Sequence, residues 1–306
     1  MLPIVIASSV IRSTRRGESH GGLYVVDFND DTVEQKLDWN YPHIRWDSGG
    51  GDRGLRGMIF HNDLLYTAGA TALFVFNKNF ELVEQYTCPT FDGSHELFLY
   101  NNKIYSISNQ YDAILVFDLT KNDWVLGYQH ILNQPPRIFD PYCTNLQRSD
   151  SLHLDSISVY NDIMFYAGST TKYIYGLHIY TLQQRAYLLA KPNTHNAQFW
   201  KDGIVFNRAL ESDTIYQVGE NIIHRWATPI MKKETVTHMD YSDYARTEYT
   251  RGMVVYKDFV CIGTSPASVH MLNLDSIDPV KSSIISHDIR NSVCGMSHYP
   301  WKYNNE

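Results

Sequence analysis

Short apolar segments along the chain are separated by turn-forming residues, and the same arrangement recurs five times. In each recurrence an aromatic residue or histidine precedes a polar pair containing Asp or Asn, and an apolar run follows. These turn segments are 61–66, 100–105, 160–165, 200–205 and 256–261. Polar turn residues between two β-rich segments are typical of a β-hairpin. The pattern therefore predicts the first two strands of a repeated antiparallel unit at each position.

Two more strand-like segments follow each hairpin. We predict third strands at 72–76, 114–117, 175–179, 215–218 and 268–272, and fourth strands at 82–86, 124–128, 184–189, 222–226 and 282–286. A four-stranded antiparallel sheet that repeats in this way is the unit of a β-propeller. The repeat thus predicts an all-β fold with five complete blades.

A sixth blade is predicted from the two ends of the chain. The first 40 residues hold only three strands, at 4–8, 23–28 and 32–39, whereas 292–299 has the character of an innermost strand with nothing after it. Pairing these segments removes an exposed sheet edge and closes the ring. The result is one six-bladed domain, 1–306, with blades at 1–40 plus 291–300, 54–88, 94–129, 152–190, 194–227 and 249–290. A β-sandwich pair or an irregular all-β fold is the alternative.

The composition agrees with a β-rich fold and excludes some partners. The 306 residues include 22 Tyr, 13 Phe and 6 Trp, which favour half-buried pleated surfaces. A formal net charge of −7 removes the simplest electrostatic basis for binding nucleic acid or an anionic membrane. The four cysteines form no CxxC pair, so we expect free thiols.

Targeting and cofactor signals are equally sparse. The N-terminus lacks the basic region and the long apolar run of a signal peptide. No uncharged apolar stretch approaches the roughly 20 residues that cross a bilayer. We therefore expect a soluble cytoplasmic protein. The glycine-rich segment 49–54 precedes neither a helix nor Gly-Lys-Ser/Thr, so we expect no nucleotide cofactor.

The longest insertions are predicted to lie on one face. In a propeller, the connections that lead into the innermost strands gather at one mouth of the central channel. The segments 41–54, 130–152 and 228–250 are such connections, and the long loop 10–21 belongs to the same rim. Because function usually lies where long loops cluster on a rigid frame, this mouth is the predicted site.

Ionisable residues recur at one position of the repeat, seven residues before the second polar residue of each turn. The set is Arg56, His95, Asp155, His195 and Arg251. The residues two and four positions further along are nearly all apolar, and side chains alternate along a strand. One face of each innermost strand should therefore be apolar between the blades and ionisable at the mouth.

Three histidines from successive blades, His95, His153 and His195, are predicted to meet one divalent metal, zinc or calcium. Imidazole suits zinc, and three protein ligands leave a position open for water. Asp155 or Glu96 would then act as a base or would orient a ligand. Two alternatives stay open. In the first, each histidine caps the start of a strand and hydrogen-bonds the backbone of a neighbouring blade. In the second, His95 or His195 works with Asp155 as acid and base without a metal.

The remaining candidates predict what the mouth binds. Arg56 and Arg251, with Arg53 and Asn196 nearby, suit a carboxylate, sulfate or phosphate. We therefore expect a lyase or hydrolase that acts on a small polar, sugar-like or anionic compound in the channel mouth. The alternative is a non-catalytic binding module or scaffold in a protein or viral assembly. A narrow ionisable pocket favours chemistry, and a flat face favours docking to a protein partner.

The segments from His95 to Asn102 and from His195 to Asp202 resemble the six-bladed NHL-like and gluconolactonase-like propellers. The segments 94–105 and 152–157 are also similar to an uncharacterised bacterial propeller family. Among these relatives, peptide alpha-amidating lyases hold zinc with three histidines and use a nearby arginine. The resemblance implies those roles for His95, His153, His195 and Arg56. Gluconolactonases bind metal through a glutamate ending the first strand, and 3–10 contains none.

Overall fold

The computed structural model describes residues 1–12, 15–40, 53–131, 134–189, 193–241 and 247–301. Within these ranges, 25 strands form six antiparallel sheets. The strands are β1 (Ile4–Ile11), β2 (Gly21–Asp27), β3 (Thr32–Asp38), β4 (Met58–His61), β5 (Leu64–Ala68), β6 (Leu73–Phe76), β7 (Leu82–Tyr86), β8 (Leu97–Tyr100), β9 (Lys103–Ser108), β10 (Ala113–Asp118), β11 (Asp123–Gln129), β12 (Arg137–Phe139), β13 (Leu154–Tyr160), β14 (Ile163–Gly168), β15 (Tyr173–His178), β16 (Gln184–Leu189), β17 (Thr194–Trp200), β18 (Gly203–Arg208), β19 (Asp213–Val218), β20 (Asn221–Ala227), β21 (Thr250–Tyr256), β22 (Phe259–Thr264), β23 (Ser268–Leu272), β24 (Lys281–Ile284) and β25 (Asn291–His298).

The sheets are the six blades of a β-propeller, as the repeat predicted. Blade one has the strand order β25-β1-β2-β3, and blades two to six follow as β4 to β7, β8 to β12, β13 to β16, β17 to β20 and β21 to β24. The innermost strands contact one another in ring order. β25 pairs antiparallel with β1, with Val5 opposite His298 and Val10 opposite Ser292. The last strand of the chain therefore completes the first blade.

The hydrophobic core lies between neighbouring blades. Because side chains alternate along each strand, every blade presents an apolar surface to both of its neighbours. Between blades two and three, for example, Ile59 and Tyr66 pack with Ile104 and Leu115. The central strands are accordingly buried along their length, as in β10, whereas the outer strand β3 is mostly exposed. This packing fixes the blades and so fixes the starts of the innermost strands.

Blade three carries a fifth strand that the repeat pattern did not predict. β12, from the insert 130–152, pairs antiparallel with the outer strand β11, and Gly127 lies opposite Phe139. A Cβ atom at Gly127 would lie 2.2 Å from the Phe139 ring, so this close approach requires glycine. The insert is thus anchored to the outer edge of its blade.

Helical structure is limited to single 3-10 turns in the described residues. They are Asn109–Tyr111, Lys233–Thr235 and Met239–Tyr241. Among the described residues, the structure contains no helix of the length and apolarity needed to span a lipid bilayer.

Candidate functional site

Three innermost strands bring ionisable side chains together where those strands begin. His95 precedes β8, Asp155 is the second residue of β13, and His195 is the second residue of β17. The pairing of β13 with β14 shifts register at Asp155, and β17 and β21 shift at the equivalent place beside His195 and Arg251. Such bulges change the direction of a side chain. The same local irregularity therefore recurs at the mouth of blades four, five and six.

The carboxylate of Asp155 lies among three imidazoles. Its Oδ1 is 3.4 Å from His95 Nδ1 and 3.7 Å from His153 Nε2, and its Oδ2 is 3.5 Å from His195 Nδ1. Ser169 donates a hydrogen bond to Oδ2. The Asp155 side chain is fully buried, and its Oδ1 accepts no hydrogen bond from any described residue. A buried carboxylate oxygen without a donor requires a cation or proton nearby.

The orientation of His153 makes that requirement stronger. Its Nδ1 is 2.9 Å from Asp150 Oδ1, and a carboxylate in this position holds the ring proton on Nδ1. The Nε2 of a neutral His153 then presents a lone pair toward Asp155 Oδ1, so two acceptors face each other. Ligand atoms of His95, His153 and Asp155 all lie within 4.8 Å of one another, which is a spacing that one metal ion can bridge.

Burial lowers the pKa of two imidazoles of this group, those of His95 and His195, and so favours their neutral form. It lowers the pKa of His95 well below its ordinary value, and the nearby charges of Arg56 and Arg251 lower it further. Burial also lowers the pKa of His195 to about 4, against the opposing effect of Asp155. Neutral imidazole is the form that binds a metal or accepts a proton.

Two arginines add positive charge to the mouth. Arg56 is buried, and its Nη1 donates to the carbonyl oxygen of Ser94 over 3.0 Å. The Arg251 guanidinium lies 4.6 Å from the Tyr249 ring centroid, and its Nη2 donates to the Tyr249 hydroxyl over 2.7 Å. Tyr249 also packs edge-on against His195, with ring centroids 6.1 Å apart. The cationic groups are therefore held in place beside the imidazoles.

Glu96 and Asn196 lie one step further into the channel. Glu96 Oε1 accepts from Asn196 Nδ2 at 2.8 Å, and its Oε2 accepts from the Ile157 amide at 2.9 Å. Burial raises the pKa of Glu96 to about 7. Asn196 Oδ1 accepts from the Gly252 amide, so these bonds join blades three to six. Both side chains line a cavity of about 390 Å³ among the innermost strands.

Arg53 lies beside blade one. Its carbonyl oxygen accepts from the Trp39 indole, and its charge lowers the pKa of His20 in blade one. The predicted rim residues 13–14, 41–52, 132–133 and 242–246 lie outside the described residues. Sequence reasoning missed Asp150 and Ser169. Asp150 could have been found from the sequence, since it lies three residues before the candidate ligand His153. Ser169 could not, because only the pairing of β13 with β14 brings it close to Asp155.

The comparisons with known proteins establish the fold alone. No family model and no curated protein sequence matches the chain. A chain of a nidogen–laminin complex is similar in structure, with a TM-score of 0.62 and 10% identity over 96% of this chain and 97% of that chain. A Bacteroides caccae protein of unknown function has a TM-score of 0.60 and 6% identity, over 96% of this chain and 98% of that chain. Virginiamycin B lyase from Staphylococcus aureus has a TM-score of 0.50 and 10% identity, over 83% of this chain and 75% of that chain.

Proposed function

We propose that this propeller is a metal-dependent lyase or hydrolase that acts on a small anionic compound at the mouth of its central channel. The observation that carries the proposal is the buried Asp155 Oδ1, which has no hydrogen-bond donor among the described residues and faces the imidazoles of His95 and His153. Virginiamycin B lyase supports only the point that this fold accommodates lyase chemistry.

The donor set favours zinc over calcium. Two imidazoles and one carboxylate form a common catalytic zinc set, whereas calcium prefers six to eight oxygen ligands. His95, His153 and Asp155 would hold the ion, and Asp150 would orient His153. A bound zinc ion supplies Lewis acidity and lowers the pKa of a water molecule.

His195 is placed to move a proton. Its Nδ1 faces Asp155 Oδ2, and its buried Nε2 has no hydrogen-bond partner within the described ranges. When the Asp155 carboxylate holds the ring proton on Nδ1, Nε2 is left as the proton acceptor, which is the arrangement of a general base. Arg56 and Arg251 would bind the anionic group of the substrate and hold it beside that nitrogen.

The depth of the group supports an enzyme over a docking surface. The Asp155 side chain is fully buried and that of His195 is 3% exposed, so a flat protein partner would not reach them. His153, with 34% of its side chain exposed, lies on the accessible side of the group. A small molecule that enters past His153 is the occupant that fits this geometry.

Zinc titration followed by calorimetry tests the metal assignment. We expect one zinc ion per chain, with affinity reduced by at least about tenfold in His153→Ala, which removes a ligand, and in Asp155→Asn, which removes the negative charge of a ligand. His287→Ala removes an exposed imidazole elsewhere and should bind zinc as the unmodified protein does. Unchanged affinity in His153→Ala would contradict the assignment.

A second measurement separates catalysis from metal binding. Lactones and aryl esters that carry a carboxylate serve as probes with the zinc-loaded protein. His195→Gln should abolish turnover without changing zinc affinity, and Arg251→Gln should raise KM more than it lowers kcat. Equal turnover in the unmodified protein and His195→Gln would exclude the proposed role of His195.

A further inference from the structure

A second cavity, of about 770 Å³, lies between blades three and four. The end of β11 and residues 130–131, 137, 147, 149 and 151–152 of the insert form its wall on blade three. The turn 170–172 and the start of β15 form its wall on blade four. Ligand pockets of small molecules commonly have volumes of about 300–1,000 Å³. The insert that the sequence placed at the channel mouth therefore also builds a separate concave surface.

The charge of this cavity is positive. Arg137, on β12, and Lys172, in the turn before β15, line opposite walls. None of the described residues that line the cavity is acidic, and neither cation forms an ion pair within the described part of the chain. Two cations that face a shared space without a carboxylate suit an anionic ligand.

The polar groups between the cations match a ligand that carries hydroxyls. Ser149 and Ser151 donate their hydroxyl protons to Asp112, and Thr170 donates to the Ser151 carbonyl oxygen. The Gln129 amide nitrogen donates hydrogen bonds to the carbonyl oxygens of Tyr111 and Gln147. These side chains therefore keep oxygen lone pairs as acceptors for hydroxyl groups of a ligand.

Aromatic rings form the remaining wall. Tyr175 lies 4.8 Å from the buried His130 ring, and Tyr173, 38% exposed, packs edge-on against Tyr175. His130 Nδ1 is 2.8 Å from the Tyr166 hydroxyl, and its Nε2 has no hydrogen-bond partner in the described residues. Rings beside polar acceptors are typical of a surface that packs against the face of a sugar ring.

We propose that this cavity is a second ligand site, which binds a sugar that carries a phosphate or a carboxylate. Arg137 and Lys172 bind the anionic group, the serine, threonine and glutamine oxygens accept from the sugar hydroxyls, and the tyrosine rings pack against its apolar face.

The second site uses different side chains from the candidate metal group, although the two share backbone segments. Along 149–153, Ser149 and Ser151 line the cavity, whereas Asp150 and His153 belong to the mouth. Ser169 likewise donates to the mouth carboxylate, and the next residue, Thr170, lines the cavity. Binding in the cavity therefore does not depend on the proposed metal or reaction.

Calorimetry with three probes tests this site. Glucose 6-phosphate, glucuronate and uncharged glucose are titrated into the unmodified full chain. We expect saturable binding of at least one of the two anions, and weaker or no binding of glucose. Arg137→Gln/Lys172→Gln should weaken anion binding by at least about tenfold, because two charge-assisted contacts are lost. The two anions distinguish a phosphate ligand from a carboxylate ligand.

Two control proteins make the result specific. Lys121→Gln/Lys232→Gln removes the same number of charges from exposed positions elsewhere and should bind the anion unchanged. Asp155→Asn should also bind it unchanged. The proposal is overturned if neither anion binds saturably. It is also overturned if the affinity for the anion falls equally in the two double variants, or if it falls in neither of them. Loss of binding in Asp155→Asn would place the anion at the channel mouth instead and would equally overturn it.

Discussion

Removal of the Asp112 carboxylate should destabilise the segment that leads to His153. Asp112 is 1% exposed, and its Oδ2 accepts from the Ser149 hydroxyl and from the amide and hydroxyl of Ser151. Its Oδ1 accepts from the Leu152 amide at 3.0 Å. One side chain thus fixes four donors in 149–152, directly before the candidate metal ligand.

The size of the effect follows from these contacts. The two serine hydroxyls can turn to water, so the main loss is from the two amides, at about 1–1.5 kcal/mol each. Asp112 has a φ of 46°, in the left-handed region, where alanine costs about 1 kcal/mol more. Asp112→Ala should therefore lower the free energy of unfolding by about 3–4 kcal/mol. Asp112→Gly, which tolerates this φ, should lose less.

Asp112→Asn separates charge from geometry. Asparagine adopts positive φ and keeps one acceptor oxygen, but its amide nitrogen cannot accept from the Ser151 amide, so we expect a loss of about 1–2 kcal/mol. Urea denaturation at 25 °C measures all three variants, and zinc titration reports the position of His153. The reasoning is refuted if Asp112→Ala lies within about 1 kcal/mol of the unmodified protein, or if Asp112→Asn is as unstable as Asp112→Ala.

Three further predictions concern ring closure, pH and the metal group. Gly295→Ala would place Cβ 2.3 Å from the Arg56 carbonyl oxygen, so its Tm should fall clearly more than that of Gly219→Ala, where nothing lies within 4 Å. Burial lowers the pKa of His270 to about 4. The unfolded chain takes up this proton near pH 6.5 and the folded chain does not, so stability falls by about 3 kcal/mol as pH drops from 6.5 to 4. His270→Asn should flatten that slope in urea titrations at several pH values, and an unchanged slope would contradict this. Asp150→Asn should weaken zinc binding about tenfold in a chelator competition, and equal affinity would remove its orienting role.

The fold was predictable because its determinants are local and repeated. Each turn in 61–66, 100–105, 160–165, 200–205 and 256–261 combines polar turn residues with flanking apolar runs, and both signals lie within a few residues. Ring closure followed from counting strands at the two ends. β12 was not predictable in the same way, since its three residues carry little pattern and its pairing depends on the close approach of Gly127 and Phe139.

The candidate site was predictable only to the level of which residues start the innermost strands. The fixed spacing before each turn selected His95, Asp155 and His195, which the structure brings together. The bulges that orient them have no sequence signature, so the pattern could not show that Asp155, and not His195, shares a compact donor set with His95 and His153.

The pairing of β25 with β1 has a consequence for biosynthesis. β1 is synthesised before the other strands of the propeller and β25 after them, so the inner edge of β1 is without its partner while blades two to six are made. Blades two to six are made of contiguous chain and have all their strands as soon as each is synthesised. Blade one is therefore completed only after the strands of blades two to six have been synthesised, and a nascent chain stalled before Asn291 exposes a strand edge that chaperones or other chains can pair with.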